Sequence, residues 1–147
     1  MAEDPHDQEA LLVALDFSSC SMRALDMALR WRRSNAEVTA LHVLDRALIQ
    51  RIDTLGLAAA EAALARLREQ AEASMATLLA DRSTERIETM IVVGEPFVEI
   101  VKIANDLACD VIFIGVHGRD SDIAHLLFGG TAERVVRGAN RPVVCVP

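Results

Sequence analysis

The stretch "DVIFIGVHGRDSDIAHLLFGGTAERVV", residues 110–136, decides how the rest of the chain is read. Its opening, "DVIFIG" (110–115), is apolar on both alternating faces, the pattern of a strand buried inside a parallel sheet. Its close, "TAERVV", begins a short helix over 131–140. Between them crowd Gly115, Gly118, Gly129 and Gly130, four of the chain's seven glycines. Glycine in such a loop has two readings. It turns the chain tightly, or it lets backbone N–H groups press against phosphate oxygens at a helix start, where unpaired donors and the dipole favour an anion. Glycine spacing alone favours the turn, because such motifs also match by chance.

Outward from this unit the same alternation recurs. Upstream, "LLVALD" (11–16) is another run apolar on both faces, ending in Asp16. "FSSC" follows, with Ser18 and Ser19 as candidate caps for the helix "SMRALDMALRWRR". "EVTALHVLD" (37–45) is a second strand, and 46–57 is expected to be an irregular connection. Leu64, Leu67, Ala71, Met75, Leu78 and Leu79 recur at helical steps within 58–80. "RIETMIVVG" (86–94) is a third strand, and 96–108 a helix with Pro96 in its first turn. Downstream, "RPVVCVP" closes the chain as a fifth strand.

The order βαβαβαβαβ predicts an α/β domain, a parallel sheet covered by helices on both faces. It occupies 11–147 as one domain behind a flexible acidic leader, 1–10. Ligands in such sheets bind at the carboxyl ends of the strands, where strand order reverses. Asp16 and the Gly115 loop both lie at carboxyl ends.

Composition excludes several classes. A net charge of −7 argues against nucleic acid or an anionic membrane surface as the main partner. No apolar run is long enough to span a membrane, and the leader lacks the features of a secretory signal. Cys20, Cys109 and Cys145 are odd in number and scattered, which suits reduced thiols in the cytoplasm. A GxxxxGK[ST] phosphate loop, a GxSxG elbow, a zinc-ligand spacing and a GxGxxG signature are all missing. No residue pattern nominates a catalytic apparatus.

Several ordered segments together resemble the universal stress protein family, in its ATP-binding branch, from about Leu11 to Val146. They are "LLVALDFS", "ALHVLD", "VVGEPFVEIVKIAND", "DVIFIGVHGR" and "LLFGGTAERVVRGANRPVVCV". The resemblance implies a three-layer, Rossmann-like sandwich of the adenine nucleotide alpha hydrolase type, with strand order 3-2-1-4-5. It also implies a cytoplasmic stress-response protein with ATP or a related adenine nucleotide as regulatory ligand, and a homodimer formed through strand 142–146. The family's motif is G-x2-G-x9-G-[ST]. Gly115 and Gly118 match its first half. Ten residues then separate Gly118 from Gly129, one more than the motif, and Gly130 stands where a hydroxyl belongs, with Thr131 next.

Carried over by position, the resemblance places adenine and ribose near Ala14, Asp16 and Val43, and phosphates on Gly118, Gly129, Gly130 and Thr131. Ile114, Gly115 and His117 line the space between. Asp120 and Asp122 would repel a triphosphate; Arg119 or bound Mg²⁺ would offset them. Each of these residues has a plainer reading: Asp16 and Thr131 as caps, His117 as a turn residue, His42 as a satisfied core histidine. Two alternatives accompany the binding reading. One is a slow ATP hydrolase or self-phosphorylating protein using Ser18, Ser19 or Thr131. The other is a nucleotide-free interaction protein with a degenerate loop.

Overall fold

A computed structural model describes residues 8–117 and 128–147. Five strands, β1 (Ala10–Ala14), β2 (Glu37–Asp45), β3 (Glu88–Gly94), β4 (Val111–Gly115) and β5 (Val143–Val146), form one parallel sheet. Its order is β3-β2-β1-β4-β5, as expected. The helices are α1 (Ser19–Trp31), α2 (Arg46–Thr54), α3 (Ala60–Asp81), α4 (Pro96–Asp106) and α5 (Gly130–Gly138).

Strand β1 is central because its residues are apolar on both faces. Leu12 and Val13 are wholly buried on opposite sides of it. Leu11, Val13 and Leu15 pack with α1 (Ala24, Leu25, Ala28) and α3 (Met75, Leu78). Leu12 and Ala14 pack with α4 (Ile100, Ile103, Ala104) and α5 (Ala132, Val135). The period-2 alternation of the strands thus divides the interior into two apolar layers, one on each face.

Residues 46–57 depart from expectation. Rather than an irregular connection they form α2, so α2 and α3 both follow β2. The Asp45 carboxylate accepts the Ala47 N–H at 2.9 Å, capping the helix. Its far end closes in a Schellman turn: Gly56, at φ 70°, donates to the Asp53 carbonyl, and Leu57 donates to that of Ile52. Only Ile49 of α2 is fully buried, and its amphipathic stripe, Leu48, Ile49 and Ile52, is confined to a nine-residue helix.

Smaller differences lie at strand ends. β1 stops at Ala14, and Asp16 belongs to the following turn rather than the strand. β5 starts at Val143 because Pro142 has no N–H, although its carbonyl still accepts from Ile112 at 3.0 Å. Among the described residues no helix is long and apolar enough to cross a membrane.

Candidate functional site

Strand order reverses where β1 stands between β2 and β4, and the carboxyl ends of these strands open there onto a cavity of about 200 Å³. Nine of the eleven site residues expected from sequence line it: Ala14, Asp16, Val43, Ile114, Gly115, His117, Gly129, Gly130 and Thr131. The other two, Gly118 and Arg119, lie outside the described residues, as do Asp120 and Asp122. Ser21, Leu41, His42, Pro96, Ile100 and Ala132 line the cavity too and were not anticipated. Most of these come from helix starts that only the fold brings to the strand ends.

The glycines separate into different physical cases. A Cβ on Gly115 would lie 2.8 Å from the Cys20 Cβ and 2.9 Å from the Ser21 nitrogen, because the first turn of α1 passes directly over the end of β4. A Cβ on Gly129 would lie 2.7 Å from the Val116 carbonyl oxygen. That oxygen already accepts the Gly129 N–H at 2.7 Å. Both glycines are required by packing, and the Gly129 N–H is committed to protein. Gly130 differs: a Cβ there would meet nothing within 4 Å among the described residues. No described neighbour demands glycine at 130, and the residue lines the cavity.

Helix α5 begins with Gly129 at its cap position and has no side-chain cap. Its first intrahelical bond runs from the Glu133 N–H to the Gly129 carbonyl. The N–H groups of Gly130, Thr131 and Ala132 precede that bond, at the positive end of the helix dipole. Thr131 is exposed and does not cap the helix, so the plainer reading of that residue fails.

At the opposite wall the Asp16 carboxylate accepts the Ser18 N–H at 2.9 Å, fixing the turn out of β1. Its reading as a capping residue therefore holds, and it faces the cavity as well. Ser18 is the cap of α1, its hydroxyl accepting from the Ser21 N–H at 3.2 Å. The Ser21 hydroxyl donates to the Ser18 carbonyl at 3.1 Å. Phe17, between Asp16 and Ser18, holds φ 62°, a left-handed conformation that is uncommon for a bulky residue. Its ring packs on that of His42 at 4.8 Å.

The two histidines play different parts. His42 Nδ1 lies 2.6 Å from the Leu15 carbonyl, which can only accept, so Nδ1 carries the proton. His42 is satisfied, as expected, but it is a half-buried wall residue rather than core. His117 is the reverse case. Its Nδ1 is buried and has no hydrogen-bond partner among the described residues. Buried polar atoms without partners are rare, and this one belongs to a residue lining the cavity.

Ala14, Leu41, Val43, Ile100 and Ile114 supply an apolar wall. Asp16 is the one formally charged group among the described lining residues. The arrangement suits a flat apolar group with a polar, anionic end: hydrophobic surface on one side, uncapped helix donors on the other. No cluster of three His, Cys, Asp or Glu side chains is placed to hold a metal ion among the described residues.

The sequence model of the universal stress protein family matches residues 9–147. The chain belongs to the universal stress protein family. Universal stress protein MJ0577 of Methanocaldococcus jannaschii is 31% identical, covering 92% of this chain and 93% of its own. The solved structure of MJ0577 superposes with a TM-score of 0.81, at 30% identity and 94% coverage of both chains. Two more distant universal stress proteins share the fold. One from Archaeoglobus fulgidus was solved in complex with dAMP, at 22% identity, TM-score 0.66, and 95% and 98% coverage. Another was solved in complex with cAMP, at 24% identity, TM-score 0.56, and 95% and 96% coverage.

Proposed function

We propose that this universal stress protein binds an adenine nucleotide in the cleft between β1 and β4, as a regulatory ligand in a cytoplasmic stress response. One observation carries the reading: the uncapped first turn of α5 opens onto the same cavity as the apolar wall of Val43 and Ile114. Adenine packs on that wall and the ribose lies beside Asp16. Phosphate oxygens accept from the Gly130 and Thr131 N–H groups, with Gly129 shaping the turn. The orphaned His117 Nδ1 gains a partner from the ligand. ATP is the nucleotide that the glycine motif implies, with Mg²⁺ offsetting its charge. Two relatives of the same fold hold dAMP and cAMP, both adenine nucleotides, which supports the base assignment.

The assembly proposed is a homodimer through residues 142–146. Among the described residues β5 is paired on one side only, by β4, and its residues Val143–Cys145 are half-buried in the single chain. An unpaired apolar edge invites a second chain. Sedimentation should report a dimer at micromolar concentration, and a monomeric mass there would reject the assembly. The cytoplasmic location is supported by three free cysteines.

The test of binding is calorimetric titration of nucleotide-free protein with Mg-ATP and with AMP, on wild type and Gly130→Val. Saturable heat in the wild type, lost in a variant that keeps its melting temperature, is the expected result. No heat and no thermal shift with either nucleotide would refute the reading.

A further inference from the structure

Asp16 and Phe17 alone join two points that the fold holds fixed. On the β1 side, Leu15 is tied to β2 through both of its backbone groups. Its N–H donates to the Leu41 carbonyl at 2.8 Å, and its carbonyl accepts from His42 Nδ1 at 2.6 Å. On the α1 side, the Ser18 carbonyl accepts the Met22 N–H at 3.0 Å. The first turn of α1 is pressed so closely on the end of β4 that a Cβ on Gly115 would lie 2.8 Å from the Cys20 Cβ.

So short a join requires an unusual backbone. Phe17 holds φ 62°, a region that a bulky L residue rarely enters. Such outliers persist where the surroundings impose them, and they gather at functional sites. Two contacts impose this one. The Phe17 ring packs on His42, 4.8 Å between centroids, and His42 is held in turn by its bond to Leu15. Across the turn, the Asp16 carboxylate accepts the Ser18 N–H at 2.9 Å. Phe17 itself does not line the cleft, whereas Asp16 and His42 do. Whatever it contributes there passes through its neighbours.

Because Leu15 and Ser18 are fixed, a change of φ at Phe17 is taken up by Asp16, and its carboxylate swings relative to the cleft. Resting on the nucleotide reading above, we propose that Phe17 is a positioning residue. Its left-handed turn aims the Asp16 carboxylate at the ribose, so that the cleft selects nucleotides carrying ribose hydroxyls. The hydroxyls donate and the carboxylate accepts. Such a bond depends on direction, and the turn sets that direction before the ligand arrives.

The experiment measures the Kd of ATP and of dideoxy-ATP, the analogue lacking both ribose hydroxyls, for wild type, Phe17→Val, Phe17→Ala and Phe17→Asn. Wild type should bind ATP about tenfold more tightly than the analogue, as expected for one hydrogen bond to a charged group. Valine is β-branched and resists a positive φ, so Phe17→Val should bring the ratio to within about twofold of unity, chiefly by weakening ATP. Asparagine tolerates the turn, so Phe17→Asn should restore the ratio. A merely structural role would weaken both nucleotides alike. That result, or a wild-type ratio in Phe17→Val, overturns the positioning role and leaves the nucleotide reading intact. Wild type that binds both nucleotides equally overturns it too. Wild type that binds neither refutes both readings. Should thermal melts show that Phe17→Val has lost its fold, Phe17→Ala and Phe17→Asn decide the matter. Both lack the ring and only asparagine tolerates the turn, so equal ratios in these two overturn the proposal.

Discussion

Alanine at position 129 and alanine at position 130 are neighbouring, chemically identical changes with opposite expected outcomes. At Gly129 the new Cβ lies 2.7 Å from the Val116 carbonyl oxygen. That atom is backbone at the exit of a central strand, and it already accepts the Gly129 N–H. Neither partner can rotate away, so the α5 entry must shift, at an overpacking cost of about 1–3 kcal/mol. At roughly 2–4 °C per kcal/mol for a domain of this size, the melting temperature falls by about 2–12 °C. At Gly130 the Cβ meets nothing within 4 Å among the described residues, and no left-handed φ stands in its way. Alanine there restricts the unfolded chain and favours the helix, a gain of about 0.4–1 kcal/mol. The melting temperature rises by roughly 1–4 °C. The added methyl also enters the cleft, so Gly130→Ala should bind nucleotide more weakly while being the more stable protein. Differential scanning calorimetry of the two variants without ligand decides the matter. A Gly129→Ala protein as stable as wild type, or a Gly130→Ala protein less stable, would refute the division of the glycines into packing and cleft roles.

Other perturbations follow from the same geometry. His117→Leu removes a buried atom with no partner among the described residues, so the ligand-free protein should gain about 1–3 kcal/mol in chemical denaturation while nucleotide affinity falls; a loss of stability would show that the imidazole is already satisfied. Asp45→Ala deletes the α2 cap at a cost of about 0.5–2 kcal/mol, with faster hydrogen exchange confined to 46–54. Unchanged exchange there would deny Asp45 that role. Burial pushes the Cys109 thiol above its ordinary 9.0, Arg141 partly opposing and Asp110 adding to the rise. The folded state then holds that proton more tightly than the unfolded one. Its contribution is full below pH 9.0 and is lost as pH rises through the folded value, so Cys109→Ala should show a shallower decline of stability above pH 9. An identical decline in both proteins would exclude the thiol as its source.

The sequence by itself determined the sheet. "LLVALD" and "DVIFIG" are apolar on both faces, the mark of strands inside a covered parallel sheet, whereas the order that makes β1 and β4 neighbours was implied by the family resemblance and is the order observed. Strand and helix alternation put Asp16 and the Gly115 loop at the same end, and nine of the residues that the family resemblance implied meet around one cavity there. Tertiary structure decided what spacing cannot express. Gly129 and Gly130 are indistinguishable as letters, and they differ only because Val116 lies against one of them. Helix α2 carries its apolar signal in only three residues, Leu48, Ile49 and Ile52, of nine, whereas its ends are fixed by local hydrogen bonds. The orphaned His117 nitrogen and the Phe17–His42 ring contact depend on atoms brought together from separate elements of the fold. Periodicity records which face of an element is apolar, but contacts between distant elements fix which atoms remain for a ligand.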